Sequence, residues 1–390
     1  MVQVNLSLLE GAEVTWFREL SAARGAAAAL ARRMGLDEQR AGQVALAVSE
    51  AATNLDKHAV DGTLLLRAVR DAEQAGVEFL AVDSGPGMSD VPDAMLDGSS
   101  STGTLGIGLG AVARLADVFD IHSIPGRGTV LAARFWPRNH AERAAGGHTR
   151  PEEPVADGVT RPISGEQQCG DAWAAKVDHG PTAAEAAPER QVRTVPGGGA
   201  VDWASLTATR PVSTAWPAPR PGEGSAVLVM LCDGLGHGPL AALAAEAAVR
   251  AFRDSRSSMP EQVVQDIHRA LRGTRGAALA VARIEPQAGR LLFCGIGNIA
   301  ATLLGHDSRV GLMSHPGIVG HQMRSMRTFE QPLPPGSALV MHTDGLTERW
   351  SRDTLPGLLL HSPVVMAAQL LREAGIRHDD AGVVVAKGAW

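Results

Sequence analysis

A stretch without hydrophobic periodicity divides this chain in two. Residues 137–163, PRNHAERAAGGHTRPEEPVADGVTRPI, are polar, contain proline and glycine, and follow neither the helical nor the strand period. Patterned sequence lies on both sides of them, and 390 residues are long for one hydrophobic core but sufficient for two. The sequence therefore predicts two domains, residues 1–136 and 164–390, joined by a flexible linker.

Composition and charge exclude several classes of protein. Hydrophobic residues make up 45% and charged residues 20%, as in ordinary globular proteins, and a net charge of −6 leaves no basic face for nucleic acid. No apolar stretch approaches the ~20 residues that span a bilayer, and the N-terminus lacks the pattern of a signal peptide. Cys169, Cys232 and Cys294 fit neither a zinc spacing nor a disulfide framework. We expect a cytoplasmic protein with no nucleic-acid or membrane partner.

Residues 1–136 alternate strand-like and helix-like patterns. The strand-like segments are, in chain order, VQVNLSL, GTLLLRAV, GVEFLAV, VFDIHSI and GTVLAARFW. The helix-like segments are 14–34, 38–59 and about 107–117, the last preceded by a glycine-rich loop. This alternation predicts an α/β domain.

A polar stripe follows one face of the second predicted helix. Glu50, Asn54 and His58 recur at every fourth residue, so all three project over the same face. Taken alone, the stripe fits a solvated helix face as well as it fits one wall of a binding site. The residues that follow in the sequence favour the binding site.

Glycine-rich elements follow the stripe in an order that suits a bound nucleotide. Glycine lets the backbone approach a polyphosphate and aim amide N–H groups at it. One such loop is weak evidence because turns use glycine throughout, but several in these strand and helix contexts predict a nucleotide site. A buried aspartate after the strand would accept a hydrogen bond from an adenine amino group. The residues are Asp83, Gly85 and Gly87 after a strand, Gly103, Gly106, Gly108 and Gly110 before a helix, and Thr129 entering the last strand.

With these motifs, residues 1–136 resemble the GHKL or Bergerat-fold ATPases, and most closely the anti-sigma-factor serine kinases of the stressosome-switch type. The resemblance implies an α/β sandwich with helices on one mixed sheet. It also implies that Asn54 binds the Mg²⁺ of a bound ATP and that Glu50 is the general base for the attacking hydroxyl. Asp83 and Thr129 would contact adenine, and residues 89–105 would form a lid.

Two features limit this resemblance. His58 matches a position of variable use and is interpreted as a packed histidine. No Lys or Arg can be assigned to the transferred phosphate. The resemblance therefore supports nucleotide binding more directly than phosphoryl transfer.

The second half of the chain places carboxylates at the ends of apolar strands. A turn after a strand would explain any one of them. Together, with no cysteine among them, they favour oxygen-only coordination of Mg²⁺ or Mn²⁺, because clustered carboxylates repel one another unless a dication neutralises them. The residues are Asp171, Asp233 followed by Gly234, Asp344, Asp379 and Asp380.

Residues 164–390, apart from one insertion, resemble the PPM family of metal-dependent serine/threonine phosphatases, in particular its SpoIIE-like branch. The segment DGLGHG at 233–238 and the Asp-Asp pair before the last strand carry the likeness. It implies an αββα sandwich and two Mn²⁺ or Mg²⁺ ions that activate a bridging water. The implied ligands are Asp171, Asp233, the carbonyl of Gly234, Asp344 and Asp379, with Asp233 central to catalysis.

Other parts of this half are less defined. Proline and glycine supply 13 of the 47 residues at 179–225, so this insertion is predicted to be disordered and to lie near the mouth of the metal site. His237 either orients phosphate or caps a helix, and the sequence does not decide between them. Asn298, in a glycine-rich turn, is interpreted as structural.

The two resemblances together imply a bifunctional regulator. An ATP-dependent serine/threonine kinase and an opposing phosphatase would act on STAS-domain phosphoproteins of a partner-switching stress or sigma-factor pathway, with a sigma factor as a further possible partner. The alternative is an N-terminal domain that only binds nucleotide and a partner, or that senses nucleotide and regulates the phosphatase. A histidine-kinase fragment ranks low because no helix pair with a phosphoacceptor histidine precedes the nucleotide motifs.

Overall fold

A computed structural model describes most of the chain in several ranges. These are residues 14–70, 74–95, 108–138, 155–178, 210–211, 226–323, 326–351, 353–376 and 378–387. The described strands form three sheets, and helices cover or separate them. Among the residues described, every helix is too short or too polar to span a lipid bilayer.

The N-terminal domain is a five-stranded sheet covered by helices. Its strands lie in the order β1-β2-β3-β5-β4, and each described pairing is antiparallel, where the resemblance implies a mixed sheet. The antiparallel order arises because β2–β3 and β4–β5 are adjacent pairs in the chain. The strands are β1 Val14–Phe17, β2 Thr63–Arg70, β3 Ala75–Val82, β4 Val118–Ile124 and β5 Gly128–Phe135, and the helices are α1 Ala23–Arg33, α2 Glu38–His58, α3 Val91–Ala94 and α4 Gly108–Leu115.

The helix predicted over 14–34 is partly wrong. Its first residues form β1, which pairs with β2, and α1 begins only at Ala23. The predicted second helix matches α2 closely. The Asp37 side chain accepts a hydrogen bond from the backbone N–H of Arg40 at 2.7 Å and so caps the helix where the apolar period begins. The strand predicted at VQVNLSL lies outside the described residues.

The C-terminal domain is an αββα sandwich, as the sequence implies. A seven-stranded sheet contains β7-β9-β10-β11-β15-β8 with β14 beside β11, and a five-stranded sheet has the order β13-β12-β16-β17-β6. The strands are β6 Ala156–Arg161, β7 Asp171–Asp178, β8 Arg210–Pro211, β9 Ala226–Gly234, β10 Ala277–Glu285, β11 Arg290–Ile296, β12 Ala300–Leu304, β13 Arg309–Leu312, β14 Ser314–His315, β15 Phe329–Pro332, β16 Ala338–His342 and β17 Ala381–Lys387. The helices are α5 Pro239–Asp254, α6 Pro260–Ala270 and α7 Pro363–Ala374.

The predicted linker extends too far. Its last part forms β6, which pairs with β17 and so belongs to the C-terminal domain. The sequence ADGVTR is too polar to suggest a strand, because the carboxylate of Asp157 is buried against arginines of the other domain rather than in apolar surroundings. Residues 139–154 lie outside the described part. So does the 179–225 insertion, except for β8 at 210–211, which pairs with β15.

Helix α7 is the central layer of the molecule. Ten of its twelve residues are buried, so it is apolar around most of its circumference. One side packs on the five-stranded sheet of its own domain, through residues such as Val340 and Val383. The other side packs on Leu65, Leu80 and Val130, which point away from α1 and α2. The two domains therefore share a core, whereas a flexible tether was predicted between them.

A buried ion cluster joins the domains beside α7. Arg67 and Arg134 of the N-terminal sheet each bind both Glu78 of that sheet and Asp157 of β6, at distances such as 2.8 Å from Arg134 Nε to Glu78 Oε1 and 2.7 Å from Arg67 Nη2 to Asp157 Oδ1. Burial acts to raise the pKa of Glu78, but the two guanidinium groups outweigh it, and its pKa lies below the ordinary value. Two arginines and two carboxylates make the cluster electrically neutral, and removing any one of the four leaves a net charge.

Candidate nucleotide and metal sites

Helix α2 positions the first two members of the polar stripe beside α4. Glu50 and Asn54 are half-buried and share a face with Gln43, which lies two turns earlier. Arg40 Nη1 donates to Gln43 Oε1 at 2.9 Å and to the carbonyl of Leu115, the last residue of α4, at 2.7 Å. The C-terminal end of α4 therefore lies at the start of α2, along this face.

Glycines mark the start of α4, the eight-residue helix that packs against α2. Gly110 is required there, because a Cβ atom would lie 2.2 Å from the carbonyl oxygen of Met95. Gly108 is the first residue of the helix. Gly103 and Gly106, with most of the predicted lid, lie outside the described residues.

The predicted adenine contacts, Asp83 and Thr129, lie near the C-terminal end of α2. The backbone N–H of Asp83 donates to the carbonyl of Thr129 at 3.0 Å, and Asp83 Oδ1 accepts from the N–H of Gly85 at 2.7 Å. Burial raises the pKa of Asp83. A Cβ atom on Gly85 would lie 2.8 Å from the carbonyl oxygen of His58, so this loop closes against the last turn of α2.

Gly87, Thr129 and His58 complete the described residues of the predicted nucleotide site. Gly87 has a φ of +64°, and a Cβ there would meet the Ile124 carbonyl oxygen at 2.2 Å. The Thr129 hydroxyl lies 2.9 Å from that of Ser123. His58 is exposed, so its interpretation as a packed histidine is wrong, whereas Glu50 and Asn54 are half-buried. The residue types of this set, an amide, carboxylates and glycines before a helix, fit the chemistry of a Mg²⁺–nucleotide.

In the C-terminal domain, two predicted metal ligands lie side by side on the neighbouring strands β7 and β9. Asp171 opens β7 and Asp233 lies at the end of β9, and the two are directly paired in the antiparallel register. Burial, followed by the charge of Asp233, raises the pKa of Asp171 well above its ordinary value. Burial, followed by the charges of Asp344 and Asp379, raises the pKa of Asp233 to about 7. The predicted metal ligands are therefore close enough to repel one another.

Two polar residues that the sequence analysis did not assign to the site hold its carboxylates. Asn298 Nδ2 donates to Asp344 Oδ2 at 2.6 Å, and the same side chain acts to lower the pKa of Asp233. The Thr343 hydroxyl donates to Asp171 Oδ2 at 2.7 Å and accepts from the N–H of Gly382 at 2.9 Å. Asn298 thus holds the carboxylate of a predicted ligand in addition to its place in a turn. The glycine-rich turn around Asn298 could have indicated a site residue from the sequence, whereas nothing in the sequence around Thr343 indicated one.

The two last aspartates have different surroundings. Asp380 is buried, and its carboxylate accepts from the backbone N–H groups of Ile163 at 2.7 Å and Gly170 at 2.8 Å. Asp380 therefore fixes the loop that precedes β7. Asp379 accepts only from the N–H of Asp380, at 2.9 Å, among the hydrogen bonds described. This arrangement leaves Asp379 the better candidate for a ligand, as the sequence implies.

Gly234 and His237 lie on the loop after Asp233. A Cβ on Gly234 would lie 2.4 Å from the carbonyl oxygen of Ala241, so the loop turns tightly onto α5. His237 is exposed, with its Nδ1 atom 3.4 Å from Glu166 Oε1, and the N-cap of α5 is Gly238. His237 therefore does not cap α5.

The donor set fits divalent cations. In the part of the chain described, no three His, Cys, Asp or Glu side chains stand close enough to hold an ion without adjustment. Nor does any described Lys or Arg form an ion pair with Asp171, Asp233 or Asp344. Mutually repelling carboxylates that have no cationic partner among the described residues are the donors that Mg²⁺ and Mn²⁺ take.

Comparisons with known proteins match each half separately. Residues 17–135 match the histidine kinase-like ATPase domain family, and residues 223–387 match the stage II sporulation protein E family. The serine/threonine-protein kinase RsbT of Bacillus subtilis (strain 168) is 35% identical over 120 residues, which cover 31% of this chain and 90% of RsbT.

The phosphatase relatives are more distant. The phosphoserine phosphatase RsbX of the same organism is 25% identical over 124 residues, 31% of this chain, and the match spans 61% of the length of RsbX. A crystal structure of RsbX in complex with magnesium is 18% identical with a TM-score of 0.43, and the match covers 60% of this chain and 94% of that one.

Proposed function

We propose a function from the families of the two halves. Through its N-terminal third, this chain belongs to the RsbT-type kinases of the histidine kinase-like ATPase family. Its C-terminal half carries a SpoIIE-type phosphatase domain. It is a regulator that both adds and removes phosphate on serine or threonine of a partner protein. The observation that carries this proposal is the direct pairing of Asp171 with Asp233, near enough to Asp344 for its charge to raise the pKa of both, with no cationic partner among the described residues.

In the proposed phosphatase, Asp171, Asp233, the Gly234 carbonyl, Asp344 and Asp379 hold two Mn²⁺ or Mg²⁺ ions. Bound metal would supply a nucleophilic water at neutral pH and neutralise charge on the phosphoryl oxygens. Asn298 and Thr343 orient the ligands by their hydrogen bonds to Asp344 and Asp171, as outer partners of metal ligands do. The substrate is a phosphoserine or phosphothreonine protein.

In the proposed kinase, Asn54 holds Mg²⁺ and Glu50, one turn earlier on α2, accepts the proton of the attacking hydroxyl. Bound ATP supplies the phosphoryl group. Asp83 and Thr129 select adenine, and the amide groups at the start of α4 face the phosphates with the positive end of the helix dipole. Phosphoryl transfer depends mostly on such positioning and charge neutralisation.

The proposed partner is a STAS-domain protein of a partner-switching pathway. The support comes from the likeness of the N-terminal third to the serine/threonine-protein kinase RsbT. A second candidate function for the N-terminal domain is nucleotide-dependent binding without transfer, and the extensive contact with α7 favours a regulatory role of this kind.

The kinase assignment predicts that Glu50→Ala abolishes phosphate transfer from labelled ATP to a STAS-domain partner. General-base catalysis contributes about 10²–10⁴-fold, so transfer should fall by at least two orders of magnitude. Nucleotide affinity should change little, because Glu50 would act on the hydroxyl rather than on the nucleotide. Transfer is measured by the label on the partner and affinity by calorimetry.

Glu38→Ala is the matched control, since Glu38 is an exposed glutamate of the same helix paired with Arg32. It should transfer phosphate at the native rate. Native protein that binds ATP and the partner tightly but transfers no phosphate would contradict the kinase assignment and establish the binding function instead.

A further inference from the structure

The C-terminal end of α7 is bonded directly to the loop that carries a metal ligand. The backbone N–H of Thr347 donates to the carbonyl of Ala374 at 2.9 Å, and that of Ile376 donates to the carbonyl of Gly345 at 2.7 Å. Gly345 follows Asp344, and a Cβ there would lie 1.9 Å from the carbonyl oxygen of Asp380. A shift of this end of α7 must therefore move the Asp344 loop.

The same turn of α7 is also bonded to the nucleotide site. Arg372, two residues before Ala374, donates from Nη1 to the backbone carbonyl of Asp83 at 2.9 Å. Gly128 makes room for this contact, since a Cβ there would lie 2.6 Å from Arg372 Nη1. One turn of helix thus contacts the predicted adenine-binding residue and the metal-ligand loop.

Arg372 is an unusual residue for such a position. Its side chain is only 5% exposed, and Nε and Nη2 make no hydrogen bond within the described residues. Glu373 Oε2, at 3.6 Å from Nη2, is its nearest ion-pair partner. A buried guanidinium with few hydrogen bonds is costly. Its position is therefore sensitive to any change in the charge or orientation of Asp83.

The opposite end of α7 is held on the N-terminal sheet. The carboxylate of Asp120 in β4 accepts from the N–H of Ser362 at 2.7 Å, from its hydroxyl at 2.6 Å, and from a ring nitrogen of His361 at 2.8 Å. The helix is packed on both sides and bonded at both ends. It would therefore move as a rigid body, as close-packed helices do.

We propose that nucleotide binding in the N-terminal site controls the geometry of the phosphatase site through α7, with Arg372 as the coupling residue. The inference rests on the proposed function of both sites, and it holds whether or not the N-terminal domain transfers phosphate. A ligand shifts such an equilibrium only by its different affinity for two arrangements. An adenine amino group bonded to Asp83 would favour the charged carboxylate and strengthen its attraction to Arg372.

Hydrogen exchange on the full chain tests the coupling without turnover. Native protein in constant Mg²⁺ is compared with and without ADP, and exchange is followed in peptides covering 343–347 and 374–376. Coupling energies of 1–3 kcal/mol correspond to about 5–150-fold, so we expect ADP to change exchange at these amides by at least about fivefold. Arg372→Met should abolish the change while leaving the ADP dissociation constant within about threefold.

Arg127→Met is the matched control, because Arg127 is an interface arginine that contacts Glu373 and the Thr354 carbonyl but not Asp83. It should retain the ADP effect. Arg372→Lys keeps the charge and one donor, and it should restore part of the effect that Arg372→Met removes. This second variant separates loss of coupling from loss of folding.

A phosphatase assay on a phosphoserine peptide gives the functional readout. The rate of native protein should differ by about fivefold or more between nucleotide-free and ADP-saturated samples, and the Arg372→Met rate should not. Protein that binds ADP and hydrolyses the peptide, but shows neither an exchange change nor a rate change, would overturn the coupling and leave the proposed function intact. Absence of ADP binding or of hydrolysis would instead overturn the proposed function.

Discussion

Asp233→Asn is expected to abolish phosphoester hydrolysis and, at the same time, to stabilise the metal-free protein. If Asp233 is a metal ligand as proposed, its loss would remove several kcal/mol of transition-state stabilisation, on the order of a thousandfold in rate. Burial and the neighbouring carboxylates raise the pKa of Asp233 to about 7, so its charged form destabilises the fold. An amide of the same shape removes that charge.

The pH dependence of the stabilisation has a definite sign. A carboxyl whose folded pKa is raised holds its proton more tightly in the folded state than in the unfolded state. The free energy of unfolding of native protein therefore falls as pH rises from about 4 to about 7, where the pKa of Asp233 lies. Above about pH 8 the penalty, on the order of 4 kcal/mol at about 1.36 kcal/mol per pKa unit, is complete, and it corresponds to several degrees in melting temperature.

Thermal melting with and without Mn²⁺ measures both effects. At pH 8 and without metal, Asp233→Asn should melt above the native protein, and at pH 4 the two should coincide. Added Mn²⁺ should stabilise native protein only, by binding the folded state. Asp254→Asn, an exposed change at the end of α5, should stay within about 0.5 kcal/mol of native protein. Native hydrolysis by Asp233→Asn, or Mn²⁺ stabilisation of it, would contradict the ligand assignment.

Asp157→Ala is expected to be the most destabilising single change at the domain interface. It leaves Arg67 and Arg134 buried with Glu78 as their one acidic partner in the cluster. Breaking a buried ion pair by removing one partner typically costs 3–5 kcal/mol. Urea unfolding should show a lower midpoint, and the N-terminal and C-terminal domains should begin to unfold in separate transitions.

Two further variants determine whether the charge is the cause. Asp157→Ala combined with Arg67→Met makes the cluster neutral again, so it should recover part of the loss. Glu38→Ala removes a carboxylate from the exposed pair with Arg32, and it should cost less than about 1 kcal/mol. If Asp157→Ala unfolded at the native urea concentration, the cluster would not hold the domains together.

Local patterns predicted the elements whose residues face one apolar surface. The period of α2 and the apolar run before Asp233 both led to correct elements, because their buried sides are regular. The carboxylates at strand ends could be grouped for the same reason: each follows or opens a regular strand. Their pairing, such as Asp171 opposite Asp233, needed the register of the sheet, which no local pattern contains.

Polar residues with partners far along the chain could not be interpreted from the sequence. Asp157 in β6 was assigned to a linker, since its arginine partners lie 90 and 23 residues away. Thr343 is 172 residues from the Asp171 carboxylate to which it donates. Helix α7 is apolar around most of its circumference because a sheet of the other domain covers its second face, and no local pattern in the sequence contains that contact.

The position of α7 between the two sheets has a consequence for synthesis on the ribosome. The outer face of the N-terminal sheet, with Leu65, Leu80 and Val130, emerges more than 200 residues before the helix that covers it. At about 5–20 residues per second, translation leaves that apolar face uncovered for roughly ten seconds to a minute. The nascent chain should therefore depend on chaperones during that interval, and premature termination before residue 363 should yield aggregates rather than a soluble half.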